Sequence, residues 1–139
     1  CVAAIHCGRR GLENKIIKNL IKTFNEKGCS NDDLLVAIGP SISKKNYLID
    51  NKTLQNFYKQ IAQKELFTSS EDESILLNEK KENLTPLNLK KYAEIQLLNE
   101  NIPNSNIDVS NLCTYESNYD FYSWRRSKTL SRQWNFISS

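Results

Sequence analysis

Val2-Ala-Ala-Ile5 is a short, unbroken apolar run, the pattern of a strand covered on both faces, and it stops at the glycine-containing turn His6-Cys-Gly-Arg-Arg-Gly11. Beyond the turn, Leu12, Ile16, Ile17, Leu20, Ile21 and Phe24 recur every three to four residues, which places them on one side of a helix. Lys15, Lys18 and Lys22 fall on or beside the opposite face, and Gly28 is placed to end the helix in a left-handed conformation. Leu34-Leu-Val-Ala-Ile38 predicts a second buried strand, halted by Gly39-Pro40. Strand, helix, strand is the grammar of a layered α/β or α+β structure.

Tyr47-Leu-Ile49 reads as a short extended piece, after which Asp50 can cap a helix running to Gln63 or Lys64 with Leu54, Phe57, Tyr58 and Ile61 inward. Residues 68–83 are polar and partly acidic apart from Ile75, Leu76 and Leu77, the composition of a solvated loop around a short strand. Pro86 marks the entry to a helix from about Asn88 to Asn99, packed through Leu89, Tyr92, Ala93, Leu97 and Leu98. Ile102, Ile107, Val109 and Leu112 carry an extended apolar pattern into Cys113-Thr-Tyr115. Gln133 to Ile137 reads as a partly exposed strand.

The 139 residues suffice for one compact domain and leave no clear linker for two. The chain begins with Cys1 on an apolar strand and contains no methionine, so it is expected to begin inside a larger fold, as one fold unit and not two independent domains. Nineteen Lys and Arg against 16 Asp and Glu give a net charge of +3, too small by itself to imply a nucleic-acid partner. No apolar run approaches the length of a membrane-spanning helix. Cys1, Cys7, Cys29 and Cys113 match neither a CxxC ligand pair nor a dense disulfide framework, so a reduced compartment is expected.

Two segments can carry chemistry. His6 sits where a strand yields to a turn, and its imidazole suits a divalent metal or a proton shuttle as well as a structural role. Adjacent residues leave a strand on opposite faces, so His6 and Cys7 do not form a nucleophile and base without a reoriented turn. Arg9 and Arg10 open the helix, where unpaired amides also favour an anion; a plain surface turn is the other reading, and the spacing is not that of a P-loop. The second segment is Phe121-Tyr-Ser-Trp-Arg-Arg126 with Lys128 and Arg132. Its rings can hold a base and its guanidinium groups a phosphate or carboxylate, or it is a basic surface loop. A continuous track for single-stranded nucleic acid is lacking. Cys113 reads as a packing thiol.

Taken together, Val2 through Gly11, Ala37-Ile-Gly-Pro40 and Cys113-Thr-Tyr through Arg132-Gln133 resemble, in order and separation, the C-terminal part of the laccase-domain family. This multicopper polyphenol oxidase family includes purine nucleoside phosphorylases. Its usual opening is close to His-Ala-Gly-Trp-Arg-Gly, and its usual ending is close to Phe-Phe-Ser-Tyr-Arg-Arg followed by Thr-Gly-Arg-Gln. The resemblance covers essentially the whole chain.

The resemblance implies a cytoplasmic enzyme with a mixed α/β fold and a metal, zinc or else copper, held by two histidines and a cysteine. His6 is the last of those ligands in chain order; the other two lie before residue 1, and Cys7 matches a small residue instead. It implies phosphorolysis of adenosine, inosine or guanosine, in which phosphate attacks the sugar carbon as the base leaves. It also implies deamination of adenosine by a metal-bound water. Arg10 is then the candidate for catalytic electrostatics, with Arg125, Arg126 and Arg132 as candidates for substrate contacts. Copper-dependent phenol oxidation, a cell-wall peptide-editing hydrolase and a nonenzymatic nucleotide-binding domain are the competing functions. Four departures bear on substrate choice: Arg9 for Trp, Lys128 and Ser131 for Gly, and Asn88 for an acidic residue.

Overall fold

The periodic apolar stretch after the opening turn forms two helices instead of one. In the computed structural model, which describes residues 1–62, 84–117, 121–128 and 130–138, α1 spans Arg9–Glu13 and α2 spans Ile16–Glu26. Lys15 takes a left-handed conformation (φ 60°) between them. The break frees the Leu12 carbonyl, which accepts the Lys15 N–H at 3.0 Å and the buried Gln96 side-chain amide at 3.0 Å. With those bonds made, Leu12, Ile17 and Ile21 all reach the core, and Ile16, Leu20 and Phe24 are half-buried beside it.

The other end of α2 closes as its glycine predicts. Gly28 has φ 85°, its N–H donates to the Asn25 carbonyl and the Cys29 N–H to the Phe24 carbonyl, the pair of bonds that satisfies a helix end through a left-handed residue.

Among the described residues four short strands form two small sheets. β1 (Val36–Ile38) pairs in parallel with β4 (Ile107–Val109), Val36 opposite Ile107, and a bridge from Ser41 to Cys113 prolongs the pairing. β2 (Leu48–Asp50) pairs antiparallel with β3 (Leu84–Pro86), Ile49 opposite Thr85. Between these lie α3 (Asn51–Ala62) and α4 (Leu89–Asn99). Asp50 caps α3 by accepting the Thr53 N–H at 2.7 Å, and Asn88 caps α4 by accepting the Lys91 N–H at 3.1 Å. Six residues of α4 are buried, among them Tyr92, Ile95 and Gln96, because the helix is flanked by α1, α2 and the chain around Leu87 and Ile102. The result is a mixed α/β arrangement of helices and small sheets. Among the described residues no helix is long and apolar enough to cross a membrane.

Several expected elements differ. Val2–Ile5 is exposed and forms no strand, since a strand exists only with a partner and none of the described strands pairs with it. The second strand is shorter than expected and bare on one face: Val36 and Ile38 turn in, while Ala37 is exposed and Leu35 is 83% exposed. The helix expected from about Asn88 to Asn99 is present as Leu89–Asn99 behind its Asn88 cap, and Pro86, just before it, ends β3. Gln133 to Ile137 is irregular, with Trp134 and Phe136 81% and 87% exposed and stacked on each other at 6.4 Å instead of paired into a sheet. A short helix α5 (Trp124–Ser127) forms inside the basic segment. The acidic stretch 68–83 lies outside the described residues.

Candidate functional site

His6 is exposed at the foot of α1 and folds over the turn. A side-chain carbon at Gly8 would stand 2.8 Å from the imidazole Nε2, so the ring lies close against the turn and would have to swing outward to admit one. Gly8 also starts the helix, its carbonyl accepting the Leu12 N–H at 3.0 Å. Arg10 is exposed on α1, one position from a neighbour with a very different fate.

That neighbour, Arg9, turns inward. Its Nη1 lies 2.6 Å from Oε1 of Glu13, one turn further on, whose side chain is 6% exposed. Burial pulls the Arg9 pKa down, but the Glu13 hydrogen bond and charge, with a further contribution from Tyr47, outweigh it and leave the pKa above its ordinary value. The charge that replaces an apolar ring in the opening motif thus finds an anion inside the fold.

Tyr47 is the meeting point of the two sequence motifs. Arg9 of the opening motif interacts with its side chain, and the guanidinium carbon of Arg125 from the terminal motif stands over its ring, 5.0 Å from the centroid. Arg125 also walls a cleft of about 370 Å³ with Asn46, Asp50, Thr53, Leu84 and Tyr115. The Asp50 carboxyl in this cleft is held below its usual pKa by the Thr53 hydrogen bonds, with smaller help from Lys52 and Arg9.

Two clamps shape the cleft. Glu116 accepts hydrogen bonds from Ser43 and Asn46 and pairs with Lys45 at 3.0 Å, tying the 43–46 turn to the 113–117 turn. Arg126 secures the other side: its Nη1 donates to the carbonyls of Thr114 (2.9 Å), Tyr115 (2.8 Å) and Ser117 (3.3 Å), and its Nη2 to that of Phe121 (2.7 Å). One guanidinium therefore fixes the turn bearing Tyr115 against the segment bearing Arg125. Arg132 is exposed and donates to the Ser131 carbonyl at 2.8 Å. Lys128, in a left-handed conformation, lies over the Trp124 ring at 3.7 Å.

Of the five residues singled out from sequence, Arg125 is the one that lines the cleft, and Arg126 builds it from behind. Tyr47, Asp50 and Tyr115 were not foreseen as site residues, and no local signal marks them, because they come together only through tertiary packing. Cys113 is buried as a packing thiol, with its sulfur hydrogen-bonded to Ser43. Desolvation alone would raise its pKa, but those bonds and the backbone amides of Tyr115 and Glu116 bring it below the ordinary value. Cys7 is half-buried and its pKa is raised by burial. Among the described residues no three His, Cys, Asp or Glu side chains converge to hold a metal. His6 alone does not make a metal site.

Comparison with known proteins places this geometry. The family model described as multi-copper polyphenol oxidoreductase laccase matches residues 1–139. A purine nucleoside phosphorylase of Synechocystis sp. is 28% identical over 99% of this chain and 56% of its own length. The purine nucleoside phosphorylase YlmD of Bacillus subtilis is 30% identical over 98% of this chain and 46% of its own. The crystal structure of YlmD from Geobacillus stearothermophilus superposes with a TM-score of 0.71 at 27% identity, covering 87% of this chain and 42% of that one. Bacillus licheniformis YfiH gives a TM-score of 0.72 at 26% identity, with 87% and 43% covered. The chain spans about half the length of the curated relatives it matches.

Proposed function

The chain belongs to the multi-copper polyphenol oxidoreductase laccase family, and from that premise we propose that it supplies the nucleoside-holding half of a cytoplasmic, metal-dependent purine nucleoside phosphorylase. The relatives named as purine nucleoside phosphorylases support the substrate class. The observation that carries the reading is the meeting of Arg9 and Arg125 at Tyr47 beside a cleft of nucleoside size.

In this proposal His6 is one donor to zinc, or to copper in its place, and two further donors come from residues other than those described. The described residues do not by themselves complete its site. Arg10, exposed beside the His6 turn, offers its guanidinium to the incoming phosphate, which shields the anion's charge as it approaches the sugar carbon. Arg125 and Arg132 are proposed substrate contacts, and Arg126 serves the substrate by holding Tyr115 and Arg125 in place.

The complete zinc-loaded protein is expected to release hypoxanthine from inosine only when phosphate is present, and His6→Ala is expected to abolish this release. Inosine formed from adenosine without phosphate would identify deamination. If neither product forms, the substrate class is wrong.

Two other readings each have a specific observation behind them. The absence of three converging ligands among the described residues favours a nonenzymatic nucleotide-binding domain, whose binding would be indifferent to zinc removal. The family description favours copper-dependent phenol oxidation, which oxygen uptake at defined copper occupancy would reveal.

A further inference from the structure

α1 is a helix that its own length does not explain. It has five residues, Arg9–Glu13, and a first turn is the costly part of helix formation, with too few hydrogen bonds to offset the ordering of its backbone. It also starts without a side-chain cap, Gly8 supplying only its carbonyl to the Leu12 N–H at 3.0 Å. Two other contacts hold it closed. Leu12 is fully buried, and the Arg9 guanidinium reaches along the helix to Oε1 of Glu13 at 2.6 Å.

The turn before α1 has few other holds. Val2–Ile5 is exposed and pairs with no described strand, so it does not fix His6 from upstream. Cys7 packs against the core, which limits how far the turn can lift but supplies no directional bond. The His6 ring rests beside Gly8, where a side-chain carbon would stand 2.8 Å from Nε2, and the His6 carbonyl would lie 3.5 Å from such a carbon at Gly11. His6 is therefore laid along the first turn of α1 and keeps its place only while that turn is formed. Successive helical positions are about 100° apart, so Arg9 turned inward to Glu13 leaves Arg10 turned outward.

We propose that the Arg9–Glu13 ion pair is the positioning element of the opening motif: it holds the first turn of α1 closed, so that the His6 ring rests on Gly8 and the Arg10 guanidinium is presented outward. Arg9 is a positioning residue in this scheme and acts through His6 and Arg10. The assignment rests on the phosphorylase reading for the tasks of those two residues, and it deepens that reading by naming what sets their geometry.

The test is NMR of the protein without added metal at neutral pH. The chain carries one histidine, and His6→Ala identifies its ring signals. Wild type is expected to show cross-relaxation between the His6 ring protons and the α protons of Gly8, and a Leu12 amide protected from exchange by the Gly8 carbonyl. Arg9→Ala combined with Glu13→Ala removes the link without stranding a buried charge, and alanine itself favours helix. In that double variant the cross-relaxation is expected to vanish and the Leu12 amide to exchange about tenfold faster or more, the mark of local opening, while the Ile17 and Ile21 signals stay in place. Arg9→Lys keeps a cation within reach of Glu13 and is expected to retain the contact. A folded double variant that keeps both the His6–Gly8 contact and the Leu12 protection, or wild-type protein that lacks the contact, would overturn the assignment. If the double variant does not fold, Glu13→Gln, which keeps an acceptor and removes the charge, reads the same amide, and an unchanged Leu12 rate there overturns it equally. Turnover of inosine by the complete zinc-loaded wild type, with the contact intact in the double variant, would remove the positioning role and leave the phosphorylase reading standing. Loss of the contact in the double variant, with no turnover by wild type, would do the reverse.

Discussion

Arg9 is the residue at which sequence and structure meet most directly. A guanidinium in place of an apolar ring has to reach water or an anion, and that much follows from its charge alone. Which anion it finds is a matter of helix geometry: Glu13 lies four residues on, so the two side chains share a face of α1, and the carboxylate is almost fully buried there. Removing one partner of a buried pair strands the other charge. Arg9→Ala is therefore expected to cost about 3 kcal/mol, the lower end for such pairs because Arg9 keeps some contact with water. Urea unfolding of the two proteins measures it, and a difference within about 0.5 kcal/mol, the usual range of surface substitutions, would show that Glu13 does not depend on Arg9.

At the scale of elements, the ends of the helices were easier to foresee than their continuity. Gly28 was expected as a left-handed cap and is one, whereas the break between α1 and α2 leaves no mark in the apolar spacing. The two left-handed positions around α2 give opposite predictions. An added methyl at Gly28 meets nothing within 4 Å, so Gly28→Ala isolates the backbone penalty and should destabilise by about 1 kcal/mol. Lys15→Gly relieves the same penalty and should be neutral or stabilising by up to about 1 kcal/mol, with its gain reduced by the greater freedom of glycine in the unfolded chain. Thermal unfolding of both variants reads the signs, and a stabilising Gly28→Ala would refute the argument. The basic segment shows the limit of composition at this scale. Arg125 and Arg126 are adjacent and chemically identical, yet α5 directs one to the cleft and the other to three carbonyls of the 113–117 turn and that of Phe121.

For the molecule as a whole, α4 is the centre, and Tyr92 on it is 1% exposed. Burial, and secondarily the negative charge of Glu13, push its pKa from 10.0 up to about 12, with a Gln96 hydrogen bond acting the other way. The folded state thus holds the phenol proton more tightly than the unfolded state does. The contribution to stability is fully present below pH 10 and is lost as the pH rises to about 12, because the unfolded chain ionises first. Lysines titrate in the same range, so the informative quantity is the difference between wild type and Tyr92→Phe. Wild type should lose stability across that window relative to the variant, and parallel pH profiles would show that the phenol is not shielded by the core.

What the sequence determined by itself was the local physics and the kinship: the apolar faces of α2 and α4, the caps at Asp50 and Gly28, and motifs whose order resembles one family. Those properties depend on residues within a few positions of each other, or on motif order, and are therefore written along the chain. Tertiary structure decided the rest. Strand formation needs partners, so Val2–Ile5 and Gln133 to Ile137, apolar enough to be strands, stay irregular where no described strand pairs with them. The cleft needs Tyr47, Asp50, Tyr115 and Arg125 in one place, and residues up to 78 positions apart along the chain become neighbours only when hydrophobic burial has set the path of the backbone between them.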